Sequence, residues 1–279
     1  MRLQLLSDLH LEREPDFVPL PLPDVDLLVL AGDIGSYQAG SRLSDDDFGL
    51  ARFSPQRSGA GWPRVLFVPG NHEYDGLDFD ATRVRLRETC ERLGIDWLDR
   101  EVIVIDGVRF VGTTLWSDFD AFAGAERSLV RQLRERDKAL RAADFYLRKN
   151  TTLRGGEPLL AAQLREVAID CQAWLREALS RPFDGSTVVV THVAPSLRSM
   201  DPRYGPSPGT AGFCNRLDDL FPAARLWLHG HLHCPNDYVA GGDGDVPAHA
   251  CRVVANPRGY AVKGEQAGFR ERLVIDVPG

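Results

Sequence analysis

Short apolar runs recur along the chain at 3–6, 27–31, 65–68, 187–190 and 226–228, each ending in a polar or glycine-containing loop. Continuous rather than alternating apolar character suits strands buried on both faces, as in a sheet covered by helices. Helical spacing lies between some of these runs. Asp80-Ala81-Thr82 offers an N-cap for a helix that passes through Arg85, Leu86 and Cys90 to Gly94, a fitting C′ stop. A second helix is predicted from about Glu157 to Ser180, where Leu160, Leu164, Val167, Cys171, Trp174, Leu175 and Leu179 form an apolar stripe that reads as core packing. The segments 101–105 and 108–112, joined by Asp106-Gly107, read as a hairpin, and Val253-Val254 and 273–275 as late strands.

Two stretches interrupt this order. Residues 36–62 are rich in Ser, Asp, Gly and Arg and read as a long surface loop, which is uncommon unless functional. Residues 117–156 carry a charged helical pattern in which Arg127, Arg131, Arg134, Arg136, Lys138 and Arg141 are interleaved with Glu126, Glu135 and Asp137. Such interleaving is that of a solvated helix face, with a lid over a substrate as the alternative. No repeat or linker divides the chain, so a single domain is expected over 1–279, with insertions at about 36–62 and 117–156.

Composition narrows the classes. An apolar share of 43% with 26% charged residues in 279 supports a sizeable core rather than disorder. A formal charge of -7 speaks against a polyanion-binding surface, and so against a long nucleic-acid partner. The five cysteines form no CxxC pair and read as reduced, buried thiols of a cytosolic protein. The N-terminal apolar run is too short for a signal sequence, and no stretch approaches the ~20 apolar residues of a membrane span. A soluble, cytoplasmic protein without membrane attachment is the expectation.

The chemistry gathers where the runs end, the place where open α/β sheets hold ligands. Asp8-Leu9-His10 follows the first run, Gly32-Asp33 the second, Gly70-Asn71-His72-Glu73 the third, His192 the fourth and Gly230-His231-Leu232-His233 the fifth. An i, i+2 pair in an extended segment would turn both side chains to one face, so that carboxylate and imidazole share a cation. A lone His or Asp is usually a satisfied structural residue, but five groups in succession at run ends are hard to explain as core or surface.

In these blocks the sequence resembles the calcineurin-like metallophosphoesterase superfamily, whose ordered pattern is D-x-H, G-D, G-N-H-[DE], H, G-H-x-H. All five are present in order between residues 8 and 233. The resemblance implies an α/β (α+β) fold, a sandwich of two packed mixed β-sheets flanked by helices, with a binuclear metal site. It implies Asp8, His10 and His233 on one metal, Asn71, His192 and His231 on the other, and Asp33 bridging the two. Carboxylate, imidazole and amide donors without thiolate suit two divalent or mixed-valence ions of Mn, Fe or Zn better than Ca²⁺. Two dications less two carboxylates and one bridging hydroxide leave a positive cradle for phosphate, and that hydroxide would attack phosphorus.

His72 neighbours the ligand Asn71 and should point away from it; the resemblance makes it an outer group that binds a phosphoryl oxygen or protonates the leaving group. A hydrogen-bonding role only is the alternative. Glu73 is expected to orient the loop or a ligand, His229 to be packed behind the site, and His249 to be exposed. Cys234 beside His233 is not required by the family pattern. Arg258, in Asn256-Pro257-Arg258-Gly259-Tyr260, could clamp a phosphate or brace a loop through a salt bridge. Trp116 could line the pocket or pack in the core.

The expected function is hydrolysis of a small phosphomonoester or phosphodiester, against a nuclease or a catalytically silent scaffold of the same fold. A scaffold should lack a ligand or the histidine at position 72, and none is missing. Substrate choice belongs to the loops, and oligomeric state is not legible. Because six or more phosphate contacts would weaken binding by ~10³ or more between 50 and 200 mM salt, a small ester should show no such slope. We expect kcat/KM for the preferred substrate to change less than about tenfold over that range, as measured by initial rates. Efficient cleavage of long DNA or RNA with steep salt dependence would instead identify a nuclease.

Overall fold

The computed structural model describes residues 1–59, 61–125, 128–150, 152–241 and 250–277. In chain order its strands and helices are β1 (Arg2–Leu6), β2 (Leu27–Ala31), β3 (Arg64–Val68), α1 (Phe79–Leu93), β4 (Asp96–Trp97), β5 (Glu101–Ile105), β6 (Val108–Thr113), α2 (Leu129–Asn150), β7 (Leu153–Arg154), β8 (Glu157–Pro158), α3 (Ala161–Ser180), β9 (Thr187–Thr191), β10 (Leu226–His229), β11 (Asn236–Ala240), β12 (Cys251–Ala255) and β13 (Val274–Asp276).

Among the described residues, one sheet has the order β13-β1-β2-β3-β4 and a second the order β11-β12-β10-β9-β6-β5. The central pairs β1/β2, β2/β3, β6/β9, β9/β10 and β10/β12 are parallel, whereas β13, β5 and β11 join antiparallel at the edges. The expected two-sheet, mixed α/β architecture is therefore the one found.

The apolar runs are continuous because both faces of each sheet are covered. Leu3, Leu5, Leu27, Val29, Leu66 and Val68 meet Phe110, Val188, Val190, Leu226 and Leu228 in the core between the sheets. The alternate positions Leu28, Leu30, Val65 and Phe67 pack outward on Leu86 and Cys90 of α1. On the other side Val111, Val189, Trp227 and Val253 cover Leu175 and Leu179 of α3. Period-two alternation thus survives in the choice of core rather than in polarity.

Some boundaries differ from expectation. Helix α1 is capped by Asp78, two residues before the expected Asp80, because the Asp78 backbone is extended and its carboxylate accepts the Ala81 N–H at 3.1 Å. Gly94 ends it at φ 68°, as expected of a C′ glycine. Helix α3 starts at Ala161 rather than at residue 157, since Glu157 and Pro158 pair with Leu153 and Arg154 in a small hairpin. The 36–62 stretch is not merely surface: Phe48, Leu50, Phe53 and Trp62 are buried in the core that covers α1. In 117–156 the charged helix is α2, and its Arg136 pairs with Asp120, which also holds Arg165 from α3. Those pairs fasten α2 to α3 through Asp120, while Glu126 and Arg127 of the charged pattern lie outside the described residues.

Among the described residues no helix is long and apolar enough to cross a membrane. What matters for the site is direction: parallel strands β1, β2, β3, β9 and β10 all deliver their C-terminal ends, and the candidate ligands that follow them, to one place.

Candidate metal centre

Three of the five ligand blocks leave their strands by a sharp left-handed turn rather than in the extended form expected for D-x-H. Asp8, His10, Asp33, His231 and His233 have φ of 52°, 48°, 54°, 75° and 48°. Left-handed conformations are uncommon outside glycine, cost on the order of 1–3 kcal/mol each, and gather at functional sites. Backbone bonds between blocks hold them: Asp8 N–H donates to Gly32 O at 2.9 Å, His10 N–H to Asp33 O at 3.1 Å and Gly230 N–H to His192 O at 3.0 Å.

The two central aspartates share one pattern. Asp8 is fully buried; its Oδ1 accepts the His231 N–H at 2.9 Å, and its Oδ2 has no hydrogen-bond partner. Asp33 is equally buried; its Oδ1 accepts the His72 N–H at 2.8 Å, and its Oδ2 lies 3.2 Å from His192 Nε2 without a hydrogen bond's alignment. A buried carboxylate oxygen without a partner costs several kcal/mol, so such a group ordinarily faces a cation.

The histidines point the same way. His192 Nδ1–H donates to the Ala31 carbonyl at 2.8 Å, an acceptor only, which leaves the Nε2 lone pair facing Asn71 Oδ1 at 3.1 Å and Asp33. His10 and His233 set their Nε2 atoms 2.9 Å apart. His233 Nε2 is also 3.5 Å from Asp8 Oδ1. Side-chain atoms of Asp8, His10, Asp33 and His233 form one group that could hold a metal, and those of Asp33, His192 and His231 form another. Asp33 stands in both. Asn71 Oδ1 lies beside the second group, 3.1 Å from His192 Nε2.

Without an ion, protons answer these charges. Burial opposes a charge on His192, but the Asp33 carboxylate outweighs it and pushes the imidazole up to about 9. For His231 burial and the neighbouring His192 act together, so it falls to about 3 and remains a neutral donor. Asp33 is itself held well below the usual carboxylate range, burial being overcome by His192 and His72. A cation among the same atoms would replace the proton on His192.

Glycines keep the space open. A Cβ on Gly70 would lie 2.2 Å from Asp33 Oδ1, one on Gly32 2.3 Å from His192 Nδ1, and one on Gly230 2.6 Å from Asp8 Oδ2. All three glycines thus let the ligand blocks pack closer than any side chain would allow.

The family model of the calcineurin-like phosphoesterases matches residues 1–235. The chain belongs to that family. Across 308 aligned residues it is 24% identical to the uncharacterized protein L509 of Acanthamoeba polyphaga mimivirus, covering 99% of this chain and 96% of that one. Its fold is also that of the phosphopantetheinyl hydrolase PptH of Mycobacterium tuberculosis, with a TM-score of 0.65, 19% identity, and coverage of 95% of this chain and 92% of that one.

Around this calcineurin-like centre other residues take definite places. Glu73 is buried and accepts three backbone N–H groups, from Asp33 at 3.1 Å, Ile34 at 2.6 Å and Gly70 at 2.7 Å, so it ties the second and third blocks together. His229 is buried behind the site and bonds Ser199 Oγ at 3.0 Å and Gly230 O at 3.0 Å. Among the described residues no cysteine joins either metal group, and His249 lies outside the described residues.

The two residues suggested for substrate contact are engaged elsewhere. Arg258 is 8% exposed, ion-paired with Glu14 and stacked 4.0 Å over the Phe17 ring, the loop-bracing alternative to a phosphate clamp. Trp116 packs against Tyr74 and Phe79, each at 5.5 Å between ring centres, which is the core alternative to pocket lining.

Three residues were missed in the sequence. Glu12 bonds His10 Nδ1 at 3.1 Å, Glu265 bonds His233 Nδ1 at 2.6 Å, and the Tyr260 ring stacks on His10 at 4.1 Å. Two of them carried a sequence signal: Glu12 at i+2 from His10, a spacing that surface glutamates share, and Tyr260 at the end of the 256–260 segment singled out above.

The glycine cradle is testable. Gly70→Ala should lower metal content to well under half of wild type, measured by elemental analysis after dialysis, while circular dichroism retains the folded spectrum. Full metal content in the variant would show that the cradle has slack.

Proposed function

We propose that the protein hydrolyses a small phosphomonoester or phosphodiester at two divalent cations. One would be held by Asp8, His10 and His233, the other by Asn71, His192 and His231, with Asp33 shared. The observation that carries this is the position of Asp33 in both groups of ligand atoms, with a buried oxygen that has no hydrogen-bond partner. Bound there, divalent ions supply charge for the phosphoryl oxygens and acidify water near neutral pH.

The chain's own residues do the rest. Glu73 and the Asp33–His72 backbone bond fix the ligand loops before substrate arrives, which lowers the reorganisation needed at reaction. His72 is the outer acid. Its Nδ1 is bonded to the buried Asp75 carboxylate at 2.5 Å, which leaves Nε2 as its second proton-bearing atom. Burial opposes its charge, but Asp75 and Asp33 outweigh it, so without metals the imidazole rises to about 10. A protonated His72 can bind a phosphoryl oxygen or hand a proton to the departing alkoxide, a role worth typically ~10²–10⁴ in rate. The Asp75 contact favours this over a merely structural hydrogen bond, because it both orients the ring and sustains its proton.

The substrate class is tested by loading purified protein with Mn²⁺, Fe²⁺ or Zn²⁺ and screening nucleotides, cyclic nucleotides, sugar phosphates and phosphopeptides. A phosphopantetheinyl ester belongs in that panel because the neighbour of like fold is a hydrolase of that name. Turnover of a small ester is expected; failure with every one of them by metal-loaded protein would favour the silent scaffold.

For His72→Ala we predict that both metals stay while kcat falls by ~10² or more, and that the loss shrinks for esters with very good leaving groups. Loss of the metals would make His72 a ligand.

A further inference from the structure

The family match ends at residue 235, yet the centre does not. After β12 the chain returns to the site: Arg258 N–H donates to Ser7 O at 3.0 Å and Gly259 N–H to Asp8 O at 2.9 Å, so the segment is sewn to the first ligand block. It then places Tyr260 on the face of His10 and brings Glu265, 7% exposed, against His233. Glu265 Oε2 accepts from both the Tyr260 N–H at 3.0 Å and His233 Nδ1 at 2.6 Å. A carboxylate facing Nδ1 requires the proton there, and so fixes the lone pair on Nε2. Glu12 faces Nδ1 of His10 in the same way at 3.1 Å. Both histidines then present Nε2 to one point, 2.9 Å apart, where a cation would take both lone pairs; without it one of the two nitrogens carries the proton of the hydrogen bond between them.

We propose that Glu265 is a positioning residue of the metal centre, fixing the tautomer and direction of His233, and that the C-terminal segment 256–268 is therefore part of the site of the Asp8/His10/His233 ion. This rests on the binuclear reading above. The Glu265–His233 pair ties the segment to the ligands themselves rather than merely over them: a shift of the strap would carry Glu265 away from His233 and leave Tyr260 off His10.

The test is metal affinity rather than activity. Mn²⁺ binding to the full-length apo protein would be followed by calorimetry for wild type, Glu265→Ala and Glu265→Gln. The wild type should bind two ions. Glu265→Ala should weaken one of them by ~10–100-fold and leave the other within about threefold, the usual range for losing such a carboxylate. Glu265→Gln can still accept the N–H but brings no charge, and should fall between. It also serves if the alanine variant folds poorly. In the Zn²⁺-loaded protein the His233 Nδ1–H proton resonance should lie downfield, as in a short charge-assisted hydrogen bond, and should move upfield in Glu265→Ala. Unchanged affinity for both ions, or equal loss of both, would overturn the proposal. A wild type that binds fewer than two ions would instead overturn the binuclear reading, whatever Glu265 does.

Discussion

Two buried carboxylates, each with one oxygen tied to a backbone N–H and the other without a hydrogen-bond partner, set the terms for the whole site. Asp8 and Asp33 could not sit in that environment without opposite charge, since an unpaired buried carboxylate costs several kcal/mol. Four histidine rings, the glycine spaces and the strained backbone are intelligible as the surroundings that charge requires. Ligands at φ near 50–75° mean that the chain accepts local strain to aim side chains at a common point. The strain is tolerable because it is anchored at the ends of strands whose two faces are fully packed.

The rigidity of those strands and the softness of the loops divide the labour. Parallel β1, β2, β3, β9 and β10 fix where the ligand blocks begin, to the precision of close packing. Glu73, bonded to three backbone N–H groups of two blocks, then fixes them relative to each other. His72 follows Asn71 directly, and its ring is held by Asp75 while its backbone N–H is held by Asp33, so the side chain proposed as proton donor is oriented apart from the groups proposed to hold cations.

Much of this was legible in the sequence because burial on both faces leaves a strong mark. A run such as Leu27–Ala31 can hardly be anything but a covered strand, and polar residues placed just beyond five such runs had no structural explanation. What stayed illegible was geometry that leaves no mark. Asp and His adopt left-handed conformations readily enough that D-x-H looks the same whether extended or turned. Strand β11 was missed because Asn236–Ala240 is a half-exposed edge, and the start of α3 was misplaced because Pro158 fits a first turn as well as a strand edge. Phe48, Leu50 and Phe53 follow no period, so their burial against α1 could not be told from scattered apolar loop positions. Glu265 stands far from any motif and is one glutamate among many until the fold brings it to His233.

The shared role of Asp33 is where the account can be tested most directly, by counting metal ions per chain in wild type and Asp33→Ala with plasma mass spectrometry after loading and dialysis. The account predicts about two ions in the wild type and fewer than one in the variant, with turnover lost alongside, because both ligand groups lose the same oxygen donor. Retention of two ions per chain with normal activity in Asp33→Ala would contradict it.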